Sequence, residues 1–315
     1  MIKNSKVIIL FVIVFLINVS LATAQVNLTR LGKSGFTFLK IGQGARAVAM
    51  GDAYTAVSDD AYSIFWNPAG MSNVEHAAFG VSLTNWIVGS KLMSAAGVYR
   101  TGFGAVGFSI VSFSPEDFEE TTIGQPLGTG RMVSASDLAV SGALAFQFTD
   151  RLSFGIKGQW IQEMLDQDKA TGMTVDFSTY YFTGFRDLVL AMSFKNFGPQ
   201  AKFLTEKFKM PLYFNINAAM GVLGRRGAPF YLLLSTESAF ATDYRDRYHT
   251  GAELWILDTI ALRGGYKFYY DLEDYSLGLG LKMNFVGKTF TLDIAYTHVL
   301  QYFETPIRIS FGGTF

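Results

Sequence analysis

The chain has 315 residues, half of them hydrophobic and only 17% charged, with 26 basic and 26 acidic side chains. A pI near 6.8 gives no long-range attraction to phosphate, so nucleic-acid partners are excluded on this reading. The absence of cysteine excludes disulfides, thiol nucleophiles and iron–sulfur clusters. Charge falls short of the roughly 25% typical of soluble domains while Gly and Phe are abundant, which implies a surface that does not all face water.

Taken in chain order, residues 1–24 read as a signal peptide: Lys3 and Lys6, an apolar run from Val7 to about Ile17, then Ala22-Thr23-Ala24 as a small-x-small cleavage pattern. A membrane-anchoring helix is the competing reading, but the apolar run is shorter than the roughly 20 residues a span requires. Cleavage near Ala24 implies export, and no later run is long enough for a spanning helix. Residues 25–75 follow as an irregular segment rich in small residues.

From 76 to 315 the texture changes to segments of about ten residues that alternate in polarity, the pattern of transmembrane strands. In one of them Tyr275, Leu277, Leu279, Leu281, Met283 and Phe285 share a face, and Ser276, Gly278, Gly280, Lys282 and Asn284 share the other. The same template predicts strands near 77–87, 91–100, 103–114, 134–148, 151–164, 172–181 and 187–197. It continues near 212–223, 229–238, 247–257, 259–270, 274–286, 289–299 and 306–315. The fold class is therefore all-β, a 14-stranded antiparallel transmembrane β-barrel, an even strand number as bacterial single-chain barrels have. Tight connections at Thr101-Gly102, Thr149-Asp150, Asp258 and Gly287-Lys288 alternate with long ones at 115–133, 165–171, 198–211 and 239–246, as periplasmic turns alternate with extracellular loops. A soluble β-sandwich also alternates, but its polar face would carry more charge than the Gly, Ser, Asn and Ala found here. Trp86, Tyr99, Trp160, Tyr180, Tyr181, Tyr269 and Tyr270 gather near strand ends, where interfacial girdles lie.

Within the irregular segment, Gly35 to Tyr54 contains Phe38-Leu39-Lys40-Ile41-Gly42, then Gly44-Ala45-Arg46-Ala47 and Met50-Gly51-Asp52-Ala53. Asp59-Asp60 and Asn67-Pro68-Ala69-Gly70 follow. This ordered set resembles the N-terminal signature of the PorV/PorQ family of bacterial outer-membrane proteins, similar in fold to FadL-type transporters. The resemblance implies that residues 25–75 fold into the lumen of a barrel formed by 76–315 as a hatch, with Arg46 among lumen carboxylates. It also implies a type IX secretion-associated role in binding exported protein cargo or envelope partners; the FadL branch implies instead the passage of small hydrophobic molecules. Small residues suit close packing against a wall, and Ser58 or Asp59 can cap a short helix that Asn67-Pro68 ends. Gly42 to Ala47 also fits G-x-G-x-x-A, but no parallel βαβ unit follows to present a helix N-terminus to a pyrophosphate.

Strand parity places Lys157, Glu163, Asp176, Lys195, Glu237, Glu253, Arg263, Lys267, Lys282, Asp293 and Arg308 inward, where charge is cheaper than against hydrocarbon. Such mixed signs read either as a polar conduit or as an ion-pair network clamping the hatch, and the second fits a filled lumen better. His76, His249 and His298 lack ligand spacing, and no nucleophile stands beside an oriented base, so neither metal, cofactor nor catalysis is expected. Pro115 to Glu120 forms an acidic, aromatic-bearing loop tip, a solvated loop or a partner contact. Terminal Phe315 resembles a barrel assembly signal. The expected partners are outer-membrane lipid, secreted cargo or secretion components, or a hydrophobic small molecule, in the outer membrane of a diderm bacterium.

Overall fold

The computed structural model describes Gly32, residues 34–300 and residues 303–315, so the predicted signal peptide lies outside the described residues. The wall consists of β1 (Ala77–Asn85), β2 (Lys91–Thr101), β3 (Gly104–Ser114), β4 (Ala135–Thr149), β5 (Leu152–Leu165), β6 (Asp168–Phe182) and β7 (Val189–Phe197). It continues through β8 (Tyr213–Leu223), β9 (Phe230–Ala241), β10 (Arg247–Ile256), β11 (Ile260–Phe268), β12 (Glu273–Phe285), β13 (Lys288–Val299) and β14 (Ile307–Thr314). Each strand pairs antiparallel with its sequence neighbours, and β1 pairs with β14 from Ala78↔Thr314 to Asn85↔Ile307. The ring is thus closed and leaves no free edge, the condition for spanning a bilayer with strands.

Period-two burial follows the sequence pattern: Leu277, Leu279, Leu281 and Met283 are exposed on the outer face while Ser276 is fully buried. The core therefore lies between the wall's inner face and residues 34–74, not between two sheets. Met50, Tyr54, Val57, Trp66 and Ala69 pack on Tyr180, Val189, Ala191, Ala219 and Leu233. Ile64, Met71 and Val74 pack on Ala78, Val98 and Ala143, and Phe36 and Phe38 pack on Leu92, Val111, Ile161 and Met210.

Two expectations change. The connection expected as a long loop at 165–171 is the two-residue turn Asp166–Gln167, with Asp166 at φ 55, because β5 and β6 carry their ladder up to Leu165↔Asp168. Among the expected girdle aromatics, Tyr180 is buried, Tyr270 lies beneath Arg247 inside the barrel, and Trp86 lies beneath Arg308. Their rings pack on lumen groups, whereas Tyr99 and Tyr181 remain exposed outside. The loop 115–133 carries its own small hairpin, Phe118–Glu119 paired with Met132–Val133.

Candidate functional site

Residues 34–74 thread the lumen from the long-loop side to the short-turn side. At the loop side Gly35 N donates to Lys209 O, and Ser34 Oγ and Lys40 Nζ both reach Asp243. At the other end Ser72 Oγ donates to Ser153 Oγ at 2.8 Å, and Arg100 bonds the Ser72 carbonyl.

The short helix Ala45–Ala49 begins after Gly44, whose φ of 84 suits glycine, and Ala45 N donates to Ser310 Oγ at 2.8 Å. This aims Arg46 across the lumen at Glu253 of β10, which accepts from Arg46 Nε at 2.8 Å and Nη2 at 2.9 Å. The paired contacts of a planar guanidinium on one carboxylate are among the strongest side-chain hydrogen bonds. Glu253 also accepts from Arg263 Nε at 2.6 Å, and Arg263 Nη1 donates to Asp293 at 2.6 Å. On the hatch side Arg46 Nη1 donates to Asp59 at 2.6 Å, and Asp59 is also paired with Arg226 of the β8–β9 turn. One continuous chain of opposite charges therefore joins the hatch to four wall residues. Burial acts to raise the carboxyls of both Asp59 and Asp60. Arg46 and Arg226 outweigh it at Asp59, which is held below its ordinary value, while Asp60 is raised.

Asp60 does not act as a carboxylate for Arg46 alone: it accepts from Tyr54 Oη at 2.7 Å and from Tyr62 N at 2.9 Å. It, rather than Ser58 or Asp59, holds the turn before helix Ser63–Trp66, while Ser58 Oγ donates to the Tyr54 carbonyl. Asn67 both ends that helix and caps the next one, Pro68–Asn73, by accepting from Ala69 N at 3.1 Å. Its Nδ2 donates to Thr55 O at 2.9 Å and to Thr179 O at 3.1 Å, and Ala69 N also reaches Ser178 Oγ at 2.9 Å. Asn67-Pro68-Ala69 is thereby fixed to β6, with Pro68 at the helix start where its missing N–H costs nothing. Met50 and Gly51 press on β10 and β11: a Cβ on Gly51 would lie 2.7 Å from Tyr266 N, and one on Gly265 2.1 Å from Gly51 N.

The inward charges divide by position. Lys157 pairs with Asp176 at 2.6 Å; Lys195 donates to Phe65 O at 2.8 Å and sits over Trp66; Glu237 accepts from Thr55 N at 3.1 Å. Lys267 bridges Asp52 at 2.6 Å and Glu273 at 2.5 Å. Arg308 is buried and donates to Thr297 Oγ1 at 3.1 Å, Lys282 pairs with Asp258 at 2.8 Å near the short turns, and half-buried Glu163 lies opposite Ala170. Phe315 stacks on Phe79 at 5.8 Å and its N donates to Ala77 O at 2.9 Å, tying the last residue to the first strand.

Sequence reasoning quoted Asp52 and Tyr54 only as part of the signature and gave Asn217 and Arg226 no role. Asn217, whose Oδ1 accepts from Ala56 N at 3.0 Å, lay visibly on a polar strand face. The signal for Arg226 was an Arg-Arg pair in a short turn, and its spatial relation to Asp59 depends on closure of the barrel. Gly42 to Ala47 carries no strand-turn-helix: Gln43 O accepts the Trp66 indole N–H at 2.9 Å, and these residues pack within the lumen. Among the described residues no group of three or more His, Asp or Glu side chains is placed to hold a metal ion.

The segment separates two cavities. One of about 80 Å³ on the loop side is lined by Lys40, Lys195, Asn215, Glu237 and Arg247. Another of about 300 Å³ on the short-turn side is lined by Arg46, Asp59, Arg226, Trp255 and Asp293.

A closed ring of 14 antiparallel strands, apolar outside and occupied by its own N-terminal segment, defines an outer-membrane β-barrel with a hatch. A family model described as Type IX secretion system protein PorV matches residues 24–204, more than half of the chain, and the chain belongs to that family. No curated protein sequence matches it. Among solved structures it is similar to the Pseudomonas putida toluene transporter TodX, at 12% identity and TM-score 0.61, over 87% of this chain and 99% of that one. The CymD monoaromatic hydrocarbon channel aligns at 13% identity and TM-score 0.58, covering 87% and 98% of the two chains. A Pseudomonas aeruginosa FadL homologue aligns at 9% and 0.55, again over 87% and 98%. Identities this low show a common fold alone.

Proposed function

We propose that this chain is a non-enzymatic outer-membrane component of type IX secretion that binds exported protein at its extracellular loops, with the hatch serving as a fixed plug. Export by a signal peptide cleaved near Ala24 and assembly through the Phe315 end belong to this reading. The observation that carries it, beside family membership, is that the charges around Arg46 form one closed set that fixes the segment filling the lumen: Arg46, Glu253, Arg263, Asp293, Asp59 and Arg226 satisfy one another.

The largest ordered loop surface supports the same assignment. In the hairpin between β3 and β4, Glu120 N donates to Arg131 O at 2.8 Å and Gly130 N to Glu119 at 2.7 Å, and the tip leaves Ile123 and Leu127 fully exposed. A hydrogen-bonded hairpin that presents bare aliphatic side chains outside the membrane is suited to a protein partner.

Passage of a hydrophobic small molecule is the second reading, and the two cavities on either side of the hatch favour it. The discriminating experiment is paired, at matched outer-membrane levels. Shortening 115–133 should deplete exported proteins from the cell surface, and Pro68→Ala should leave uptake of apolar solutes unchanged. Altered uptake with an intact surface proteome would replace secretion by transport.

A further inference from the structure

Above the lipid-facing wall of β5 and β6 the structure carries a compact basic face outside the lumen and outside the hatch. After β7 the chain forms a second short hairpin, Ala201–Phe203 with Glu206–Phe208, which continues the sheet by pairing Lys202 with Thr171 of β6. Its inward side is fixed by Phe208, packed edge-on against Phe36 at 5.0 Å, and by buried Ala201. Lys202 and Lys207 therefore project outward, and they are direct cross-strand partners. Opposed residues on one face have Cβ atoms about 5 Å apart, and two like charges there repel. Lys169 lies on the same face of β6, two residues beyond Thr171, a step of about 6.6 Å along the strand.

The register orders this face along the wall. Gln162, Thr171, Lys202 and Lys207 form one row around the outside, through Gln162↔Thr171, Thr171↔Lys202 and Lys202↔Lys207. The next outward row toward the short turns is Val140, Trp160 and Met173, through Val140↔Trp160 and Trp160↔Met173. Tryptophan marks the boundary between hydrocarbon and headgroups. On β6, Thr171 and Lys169 thus lie beyond Met173 toward the long loops, and Lys202 and Lys207 continue from Thr171, which puts the face at the extracellular end of the wall.

All three lysines are exposed. The carboxylates nearest in sequence, Asp168 and Glu206, fall on the inward-facing positions, opposite Leu165 and Phe203. The neighbouring ion pairs, Arg131 with Glu120 and Asp166 and Lys157 with Asp176, do not involve these lysines.

We propose that Lys169, Lys202 and Lys207 form a binding face for the phosphate groups of a phosphorylated glycolipid of the outer leaflet. An anion between Lys202 and Lys207 turns their repulsion into attraction, and the Trp160 and Met173 row beneath offers the acyl chains an apolar wall. This proposal depends on the membrane orientation of the barrel and not on the secretion reading.

The test uses the full mature chain in detergent, titrated with bisphosphorylated lipid A and followed by native mass spectrometry. Lys169→Gln/Lys202→Gln/Lys207→Gln should lower lipid A affinity by at least about tenfold, the single Lys202→Gln by a smaller step, and Arg225→Gln in a short turn should change nothing. Dephosphorylated lipid A should bind the unaltered chain as weakly as the phosphorylated form binds the triple variant, and added salt should narrow the gap. Heat-modifiable migration on gels checks that every variant is folded. Equal retention of phosphorylated and dephosphorylated lipid, or an unchanged affinity in the folded single and triple variants, would overturn the proposal. Competition by millimolar inorganic phosphate equal to that by lipid A would also overturn it, because the face would then take free phosphate.

Discussion

Replacing Glu253 by glutamine removes the charge on which two guanidiniums converge. Arg46 approaches it through Nε at 2.8 Å and Arg263 at 2.6 Å, and the carboxylate is 1% exposed, so water cannot take over its role. Breaking such a buried pair by neutralising one partner costs about 3 to 5 kcal/mol, chiefly because the remaining charges stay buried without compensation. Arg263 retains Asp293 at 2.6 Å, and Arg46 retains Asp59 at 2.6 Å, so the cost should fall at the lower end. With about 1.4 kcal/mol per tenfold, opening of the hatch should become roughly a hundredfold more frequent. Hydrogen exchange of the amides at 45–60, measured on the barrel in detergent, reads this directly. The wall strands β12 and β13, held by their own ladder, should exchange at their original rates. Adding Arg46→Met to Glu253→Gln should recover part of the loss, since the hatch then carries no guanidinium toward a neutral amide. An exchange increase below about threefold at 45–60, or an equal increase in β12 and β13, would refute the view that this ion chain docks the hatch.

Asn67→Ala strips the side-chain hydrogen bonds from the Thr55 and Thr179 carbonyls, at about 1 to 3 kcal/mol for each group left unsatisfied, while Ala69 N keeps Ser178 Oγ, and should raise exchange at 55–70 by one to two orders of magnitude without unfolding the barrel. Gly265→Ala drives a methyl group into the Gly51 backbone and should lower the thermal unfolding midpoint, whereas Gly158→Ala, where a Cβ meets open space, should leave it unchanged. Removing Phe315 deletes its stacking on Phe79 and its bond to Ala77, and should reduce heat-modifiable barrel in outer-membrane fractions before any loss of activity per barrel.

The wall was legible because alternation is a local property. The row from Tyr275 to Phe285 shows its outward and inward sets without knowledge of any neighbour, and the strand ends fall within a few residues of those expected. What depended on the third dimension was less so. The turn at Asp166–Gln167 looked like a longer loop because β5 and β6 extend beyond the bilayer, where the apolar alternation that marks a strand in lipid is no longer required. Tyr180 and Tyr270 looked like girdle residues because sequence shows how near a strand end they lie, but a lumen filled by protein gives aromatic rings inward partners as well. The resemblance put Arg46 among lumen carboxylates, yet its partner Glu253 lies 207 positions away, and only closure of the ring brings β10 to it. Asp60 was recognisable as one of an acidic pair, but its hydrogen bonds to Tyr54 Oη and Tyr62 N depend on the turn between them.

The secretion assignment requires exported protein to touch the hairpin between β3 and β4, and site-specific photocrosslinking in living cells tests that requirement most directly. A photoreactive residue at Ile123 or Leu127, both fully exposed at the tip, should yield covalent adducts with secreted proteins in transit, and the same residue at Leu257 in a short turn should not. Absence of adducts from both tip positions, in a barrel present at normal abundance in cells actively secreting, would contradict the account.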